Sequence, residues 1–316
     1  MDEEILVSIV VPVYNHEKYI KKALESILFQ KVNFNYEVLI AEDCSSDNSR
    51  NILMNLEKTY PNNFKFIYRN NNYGIVRNIS DLYSRMKGKY YILLEGDDYW
   101  TYEYKLQKQV DFLEENKEYL AVCHNTIIVD ENDNVRELKY PECKNSEYTI
   151  KDFRNGLLPG QSTSIMFKNY FKYSIFDYDV RPVSYPGDRR KAFLLAANGK
   201  TKCIQESWSA YRYVTTTGSS YSANANKYES NTLDFYKSLI EYSERTNKDE
   251  DIIIACKELY AWQLVVERIK MKKGNFEEIH SYVKNSGHAV KLYSFILGKV
   301  IKYPFAKVKT KFSKTI

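Results

Sequence analysis

The sequence lacks the features that mark disulfide-rich, zinc-finger and membrane-spanning proteins. Its five cysteines are scattered, none forms a Cys-X-X-Cys pair, and their number is odd. This pattern argues against a disulfide framework and a zinc site, and it favours a reducing cytoplasm. No apolar run approaches the length of about 18 residues that a membrane span needs. The first residues, MDEEILVSIV, have no basic segment before an apolar stretch, so we expect no signal peptide.

Glycine-rich phosphate-binding loops are also missing. A dinucleotide site needs Gly-X-Gly-X-X-Gly after the first strand, but the residues there read PVYNHEKY, without a glycine. A P-loop needs a glycine five residues before its GK[ST] segment. GKT does occur at 199–201, but Leu194 holds the required position, so the match is accidental. A cradle of backbone amides is therefore not how we expect this protein to bind phosphate.

The body of the chain has almost no net charge, because its basic and acidic residues nearly balance. The net charge is +5, but residues 291–316 carry seven lysines and no acidic residue, which leaves −2 for the remainder. A near-neutral body argues against a nucleic-acid-binding face. The basic tail also holds aromatic and aliphatic residues. Peripheral contact with the inner face of the cytoplasmic membrane and a solvated terminus both stay open for the tail. Whether the chain forms a homo-oligomer also stays open.

A regular alternation of two periodicities runs through the first 130 residues. Continuous β-branched segments such as VSIVVPVY predict strands that are buried on both faces. Segments with apolar residues three or four positions apart predict helices. The predicted strands are 7–14, 36–43, 64–69, 90–95 and 120–130. The predicted helices are 18–30, 48–60, 74–88 (with Gly88 closing its C-terminal end) and 105–116.

Strand–helix alternation with short connections predicts an α/β fold, in which a mostly parallel sheet is flanked by helices. A further helix is predicted at 189–200, and the chain from about residue 227 onward has an amphipathic helical pattern. Ligands of such sheets bind beyond the carboxyl ends of the strands. Polar clusters follow four of the predicted strands, at 14–15, 42–43, 70–72 and 95–98.

The segment YYILLEGDDYW (90–100) ends a buried strand with three carboxylates within four positions. Carboxylates at this spacing repel one another unless a cation offsets their charge. Mg²⁺ and Mn²⁺ are held in proteins by one or two carboxylates together with substrate phosphates. Glu95 and Asp97 therefore predict a divalent metal site, and Gly96 between them would let a nucleotide approach the backbone closely.

Four segments in order carry a resemblance to a known family: VSIVVPVYNHEKYIKKALESILFQ, YEVLIAEDCSSDNS, NYGIVRN and LLEGDDYW. Together they resemble the family 2 inverting glycosyltransferases of the GT-A fold, of the bacterial surface-glycan type with EGDDYW. The resemblance covers roughly residues 5–215. It implies a GT-A domain over 1–220, with a nucleotide-binding half (1–130) and an acceptor and catalytic half (131–220). A helical region with a basic tail (221–316) would follow.

The resemblance implies a set of residues that bind the nucleotide-sugar. The set consists of Pro12, Val13, Tyr14, Asp43, Gly74, Arg77, Glu95, Gly96, Asp97 and Arg212. Asp43 would accept a hydrogen bond from N3–H of uracil, and Gly74 and Arg77 would meet the diphosphate and the ribose. Asp97 and Glu95 match the DXD motif and would hold Mn²⁺ or Mg²⁺. Glu replaces the first Asp of that motif, which leaves open whether Glu95 contacts the metal directly.

Inverting transfer also needs a base that takes a proton from the acceptor hydroxyl. In the resembled family an acid at the start of a helix in this region is that base, which implies the role for Asp188 in SYPGDRRKAF. The alternative is an ordinary helix cap. Arg189, Arg190 and Lys191 in the same turn oppose the helix dipole, which disfavours a turn chosen for stability alone. Asp98 is likewise open between a metal ligand and a cap of the helix that follows.

These observations predict a metal-dependent, inverting glycosyltransferase that moves one sugar from a UDP-sugar to a hydroxyl group of a lipid-linked or protein-linked glycan. The QXXRW motif of processive synthases is absent, which favours single additions. Synthesis of a capsule, an O-antigen or a glycoprotein glycan follows from the resemblance. The alternatives are a sugar-nucleotidyltransferase, whose glycine-rich loop is missing here, and a non-catalytic nucleotide- or glycan-binding protein of the same fold.

Overall fold

The computed structural model describes residues 4–173, 187–214, 232–271 and 275–313. The chain forms two compact units. The first comprises Met1–Thr149, Leu157–Phe176 and Asn198–Tyr228, and the second comprises Ile150–Gly156, Asp177–Ala197 and Glu229–Ile316. The predicted boundary between residues 220 and 221 lies outside the described residues, so the predicted division of the chain stays a prediction.

The first unit is built on a sheet that has nine strands among the described residues. Its strands are β1 (Val7–Val13), β2 (Tyr36–Glu42), β3 (Phe64–Tyr68), β4 (Tyr90–Leu93), β5 (Tyr99–Trp100), β6 (Tyr119–Val129), β7 (Glu147–Tyr148), β8 (Met166–Lys168) and β9 (Lys200–Arg212). The order across the sheet is β3-β2-β1-β4-β8-β6-β9-β5, and β7 pairs with β9. The strands β3, β2, β1 and β4 are mutually parallel, so their carboxyl ends share one edge.

Helices cover the faces of the parallel part of the sheet. They are α1 (Ile20–Leu28), α2 (Ser49–Glu57), α3 (Ile75–Arg85) and α4 (Lys105–Glu115), and the short α6 (Tyr170–Tyr173) follows β8. Every residue of β1 is buried, as its unbroken apolar run predicts. The helix α1 buries Ile20, Ala23, Leu24 and Ile27, the spacing of one helical face. These side chains form one core with β1, β2 and β4.

The far half of the sheet is mixed and bent. β8 runs antiparallel to both β4 and β6, whereas β6 and β9 are parallel. The register between β6 and β9 shifts at His124 and Asn125, so a bulge divides the two long strands. β5 pairs with β9 beyond this bulge, with Trp100 opposite Ser209. The two-residue strand β5 therefore fixes the segment that follows the acidic cluster.

The second unit is helical. Its helices are α5 (Ile150–Arg154), α7 (Gly187–Asn198), α8 (Thr232–Arg245), α9 (Glu250–Val266), α10 (Phe276–Asn285) and α11 (Ala289–Ser313), and a π-helical turn, Glu267–Met271, extends α9. Phe153 of α5 packs on Phe193 of α7, which also contacts Tyr242 of α8. The buried Glu258 of α9 accepts a hydrogen bond of 2.8 Å from Arg154. These contacts join α5 and α7 to the helical unit.

The structure confirms the predicted α/β class, with helices on a sheet whose first four strands are parallel and with a helical C-terminal region. Predicted and observed element bounds differ by three residues or fewer over the first 130 residues. None of the helices in the described ranges combines the length and apolar character that crossing a bilayer requires.

Candidate functional site

The acidic cluster lies at the carboxyl end of β4. The carboxylates of Glu95, Asp97 and Asp98 each offer an oxygen, and these oxygens lie within 4.8 Å of one another. The amide of Leu94 donates to Val10 O, and the amide of Asp98 donates to Glu95 O at 3.0 Å, which closes a tight turn. Glu95 and Asp97 are half-buried, and Asp98 is buried. The turn thus presents two accessible carboxylates above a third that is enclosed.

Asp98 belongs to the cluster and does not cap α4. The residue before α4 is Tyr104, and its side chain makes no capping hydrogen bond. Asp98 instead accepts a hydrogen bond of 2.9 Å from the backbone amide of Arg212 in β9. Burial, and then the charges of Asp97 and Glu95, raise the pKa of Asp98 well above its ordinary value. The capping role that the sequence left open for Asp98 is therefore wrong.

Gln161 holds the cluster from the side that faces the core. Its side-chain Nε2 donates to Asp98 at 2.9 Å and to Glu95 at 3.4 Å. Its Oε1 accepts from the backbone amide of Thr163 at 2.7 Å and from the Thr163 hydroxyl at 2.5 Å. Because Thr163 occupies the oxygen, the amide group is oriented with its nitrogen toward the carboxylates. No spacing or periodicity in the sequence marks Gln161 as part of the site.

Arg212 is buried beneath the turn and ties it to neighbouring segments. Its Nε donates to Asp97 O at 2.9 Å, and its Nη1 donates to Asp130 O at 2.7 Å. Its Nη2 forms an ion pair of 2.6 Å with Asp133. The guanidinium also stacks over the ring of Tyr19 at 4.2 Å. Arg212 therefore lies at the site as predicted, although its contact with a diphosphate stays a prediction.

The donor set of the cluster fits a divalent cation. Carboxylate oxygens are the hard ligands that Mg²⁺ and Mn²⁺ prefer. Three carboxylates within 4.8 Å repel one another, and a cation between them would offset that repulsion. Glu95 and Asp97, the two accessible members, are the residues that the sequence predicted as ligands. That the cluster binds a metal, and which metal it binds, both stay predictions.

Gly96 is enclosed, and its neighbours explain why no side chain fits there. A Cβ added at Gly96 would lie 2.6 Å from Nδ1 of His16, closer than real Cβ contacts come. It would also lie 3.2 Å from Ile20 and 3.4 Å from Pro12 O. The glycine thus lets the acidic turn pack directly on the loop that follows β1. That it also admits a nucleotide stays a prediction.

The predicted nucleoside pocket lies at the carboxyl ends of β1 and β2. Pro12 and Val13 are buried at the end of β1, and Tyr14 is exposed just after it. The buried Asp43 donates its backbone amide to Val13 O at 2.9 Å. One oxygen of its carboxylate accepts from the backbone amide of Tyr73 at 2.7 Å. Asp43 is thereby fixed between β1 and the loop that precedes α3.

Reciprocal hydrogen bonds join the loops that follow β1 and β2. Asn15, in a left-handed conformation with φ 57°, accepts from the amide of Ser46 and donates its own amide to Ser45. The amide of Glu17 donates to Asp47 at 3.0 Å. Asp47 also accepts from the amide of Ser49 in the first turn of α2. The two loops after β1 and β2 therefore hold one another in place.

Gly74 and Arg77 line a groove of about 710 Å³ along the start of α3. Gly74 precedes α3 with φ 75°, a conformation that side chains make costly. The guanidinium of Arg77 lies 4.1 Å from the ring centre of Tyr73, and that of Arg69 lies 5.0 Å from it. Arg69 is held by an ion pair with Asp81. The groove therefore holds Arg77 beside Tyr73, and the contact of Gly74 and Arg77 with the diphosphate and the ribose stays a prediction.

Asp188 lies in the second unit, in the first turn of α7. It is half-buried, and its carboxylate accepts from the backbone amide of Arg189 at 2.7 Å. The guanidinium of Arg189 lies 4.2 Å from the ring centre of Phe153 and donates to Phe153 O at 3.2 Å. The helix dipole of α7 disfavours a cation in this first turn, but the packing of Arg189 on α5 explains why one is present there. The role of Asp188 as the base stays a prediction.

Comparisons with known proteins bear on this site. A model of the family described as "Glycosyl transferase family 2" matches residues 8–174, which include the acidic turn and the predicted nucleoside pocket. An uncharacterized protein of Mycobacterium bovis is 32% identical over 208 residues, which cover 65% of this chain. The chain matches only 58% of the length of that relative.

Two further proteins carry informative names. The putative teichuronic acid biosynthesis glycosyltransferase TuaG of Bacillus subtilis is 34% identical over 110 residues, which cover 35% of this chain and 42% of that protein. Residues 1–349 of Staphylococcus aureus TarS, solved in complex with UDP-GlcNAc, have a similar fold. The TM-score is 0.61 at 19% identity, with 91% of this chain and 81% of that one covered.

Proposed function

The chain belongs to glycosyl transferase family 2, and on that premise we propose that it transfers a single sugar from a UDP-sugar to a hydroxyl group of a glycan acceptor. The observation that carries the proposal is the acidic turn at the edge of the parallel sheet. There the carboxylates of Glu95, Asp97 and Asp98 lie within 4.8 Å of one another. This edge is where ligands of parallel α/β sheets bind.

Glu95 and Asp97 would hold Mn²⁺ or Mg²⁺, with Gln161 and Arg212 keeping the turn in place. When bound, the cation would neutralise the charge that develops on the leaving diphosphate, so that no acid is needed there. The oxygen of the acceptor hydroxyl would attack the anomeric carbon and displace UDP. Asp188 would take the proton from that hydroxyl during the attack. Attack from the side opposite the diphosphate inverts the configuration at that carbon.

The fixed carboxylate of Asp43 supports uracil as the base. A carboxylate accepts hydrogen bonds only, and N3–H of uracil is a donor. Because Tyr73 holds one carboxylate oxygen at 2.7 Å, the group is oriented before a nucleotide arrives. TarS, with a similar fold, was solved with UDP-GlcNAc. The name of TuaG supports an acceptor among bacterial cell-surface polysaccharides.

Asp97→Asn tests the metal and the donor together. We expect the variant to lose Mn²⁺-dependent binding of UDP in titration calorimetry, and to lose turnover of UDP-sugars by about a hundredfold or more. Asp111→Asn, on the exposed face of α4, is the matched control and should behave as wild type. Undiminished metal-dependent turnover in Asp97→Asn would overturn the metal assignment. Binding of UDP without turnover of any UDP-sugar in the wild type would instead identify a binding protein.

Asp188→Asn tests the base separately. The variant should bind UDP and Mn²⁺ as wild type does but transfer sugar about a hundredfold or more slowly. Asp234→Asn makes the same change in the first turn of α8 and should leave transfer intact. If Asp188→Asn transferred sugar at the wild-type rate, another group would have to be the base.

A further inference from the structure

The last helix, α11, carries an apolar stripe on its exposed side. Over its described side chains (289–302), large apolar residues recur three, four or seven positions apart, which places them on one face. They are Val290, Tyr293, Leu297, Val300 and Ile301. Val290 is 80% exposed, Ile301 is 61% exposed and Leu297 is 60% exposed. We call these five residues the α11 stripe.

A different face of α11 packs against the rest of the second unit. Leu292 is fully buried and belongs to a core with Val283 of α10 and Ala261 of α9. Ala289 and Ile296 pack against the same core. Within the stripe, Tyr293 reaches a neighbour through its hydroxyl, which lies 2.5 Å from Nδ1 of His280. Packing within this unit therefore explains why the face that holds Leu292 is apolar. It does not explain the stripe, whose large apolar side chains are exposed to solvent.

Along α11 itself the sequence carries charge of one sign. Lys291 and Lys302 are exposed on the same helix, and residues 291–316 hold seven lysines and no acidic residue. The remainder of the chain has a net charge of −2. An apolar helix face bordered by lysines is the pattern of helices that lie in the interface of an anionic bilayer, with the lysine side chains reaching the headgroups.

We propose that the α11 stripe binds the surface of a membrane that contains anionic phospholipid. A second copy of the chain fits the stripe less well, because the two tails would bring fourteen positive charges together without an acid among them. A bilayer offers an apolar layer for Leu297 and Ile301, and it offers negative charge for the lysines. The proposal does not depend on the sugar-transfer reaction and concerns a different surface.

Sedimentation with lipid vesicles tests this proposal on the full chain. We expect the protein to pellet with vesicles of mixed phosphatidylglycerol and phosphatidylcholine, but not with pure phosphatidylcholine. Binding should weaken as salt is added, because salt screens the lysines. Absence of binding to the phosphatidylglycerol vesicles at low salt would overturn the proposal.

Two variants separate the stripe from non-specific attraction. Leu297→Glu with Ile301→Glu should weaken vesicle binding about tenfold or more, since the stripe would then carry acids into the bilayer surface. Met54→Glu, an exposed apolar residue of α2, is the matched control and should bind as wild type. Lys291→Gln with Lys302→Gln should also weaken binding, and Lys237→Gln on α8 should not.

Light scattering distinguishes the competing occupant. The wild type could form dimers, and the variant Leu297→Glu with Ile301→Glu could be monomeric while binding vesicles as wild type does. In that case the stripe is an interface between two copies of the chain, and the membrane proposal is wrong. Monomeric behaviour of both proteins, together with loss of vesicle binding in the variant, supports the lipid assignment. Circular dichroism at matched concentration checks that the variant retains its helices.

Discussion

At the scale of single residues, Gln161 supports the acidic turn without adding a charge to it. A lysine or arginine in its place would neutralise the carboxylates and compete with a metal. The neutral amide instead donates hydrogen bonds to Asp98 and Glu95 while leaving their charge in place. Thr163 fixes the amide, and the indole of Trp100 in turn donates to Thr163 O at 3.1 Å. The geometry of the turn therefore depends on hydrogen bonds that run from Trp100 through Thr163 and Gln161 to the carboxylates.

Gln161→Leu removes this support with little change in volume. We expect affinity for Mn²⁺ to fall about tenfold, because Asp98 and Glu95 lose the shared donor that orients their carboxylates. Titration calorimetry with Mn²⁺ measures this directly, without turnover. Gln205→Leu on the exposed part of β9 is the control and should bind Mn²⁺ as wild type does. Equal Mn²⁺ affinities in all three proteins would show that Gln161 has no such role.

At the scale of elements, local periodicity predicted most of the first unit, and long-range pairing escaped it. The strand β9 has 13 residues and joins β6 in parallel across a bulge, which a single sequence does not reveal. Gly88 illustrates a second limit. It was predicted to close α3, but α3 ends at Arg85 and Met86 follows in an extended conformation. A Cβ at Gly88 would lie 2.5 Å from the backbone nitrogen of Ser8 in β1. Position 88 therefore requires glycine because it packs against β1, where Ser8 lies 80 residues earlier in the sequence.

Gly88→Ala should therefore destabilise the protein. The added methyl group meets backbone atoms of β1 that cannot move aside, and we expect a loss of about 1–3 kcal/mol in the free energy of unfolding. Gly298→Ala in α11 is the contrasting substitution, because no atom beyond its chain neighbours and the backbone of its own helical turns lies within 4 Å of the added Cβ. It should be neutral or stabilise by up to about 1 kcal/mol. Urea unfolding of the three proteins decides this, and a Gly88→Ala midpoint equal to that of wild type would contradict it.

At the scale of the whole molecule, the core contains ionisable groups as well as apolar ones. Lys105 is fully buried, donates to Gln109 at 2.7 Å and lies 4.3 Å from the ring centre of Trp100. His124 is buried nearby, with Nδ1 at 2.8 Å from Asn125 O. Burial lowers the pKa of Lys105 well below its ordinary value. Because these groups are buried, the stability of the folded protein depends on pH.

His124 makes stability fall in mild acid. Burial, and then Lys105, lower the pKa of His124 well below its ordinary value. Below about pH 6.5 the imidazole of His124 is protonated in the unfolded chain but stays neutral in the folded chain. The free energy of unfolding should therefore drop by at most about 1.4 kcal/mol per pH unit. Above that pH both states are neutral and the effect vanishes. Urea unfolding between about pH 7.5 and about pH 5.5 measures this slope.

Two substitutions assign the slope to one imidazole. His124→Gln should flatten the pH dependence, whereas His280→Gln, at an exposed position of α10, should keep it. A slope that persists unchanged in His124→Gln would point to a different buried group.

The short connection between β4 and β5 sets a limit on how this protein can vary. Five residues, 94–98, carry the chain from a central strand to the outer side of β9, and both ends are held by sheet pairing. Such a connection cannot absorb a change in length, so a single inserted or deleted residue would displace all three carboxylates. In a library of one-residue insertions and deletions scored for folding, positions 94–98 should be depleted.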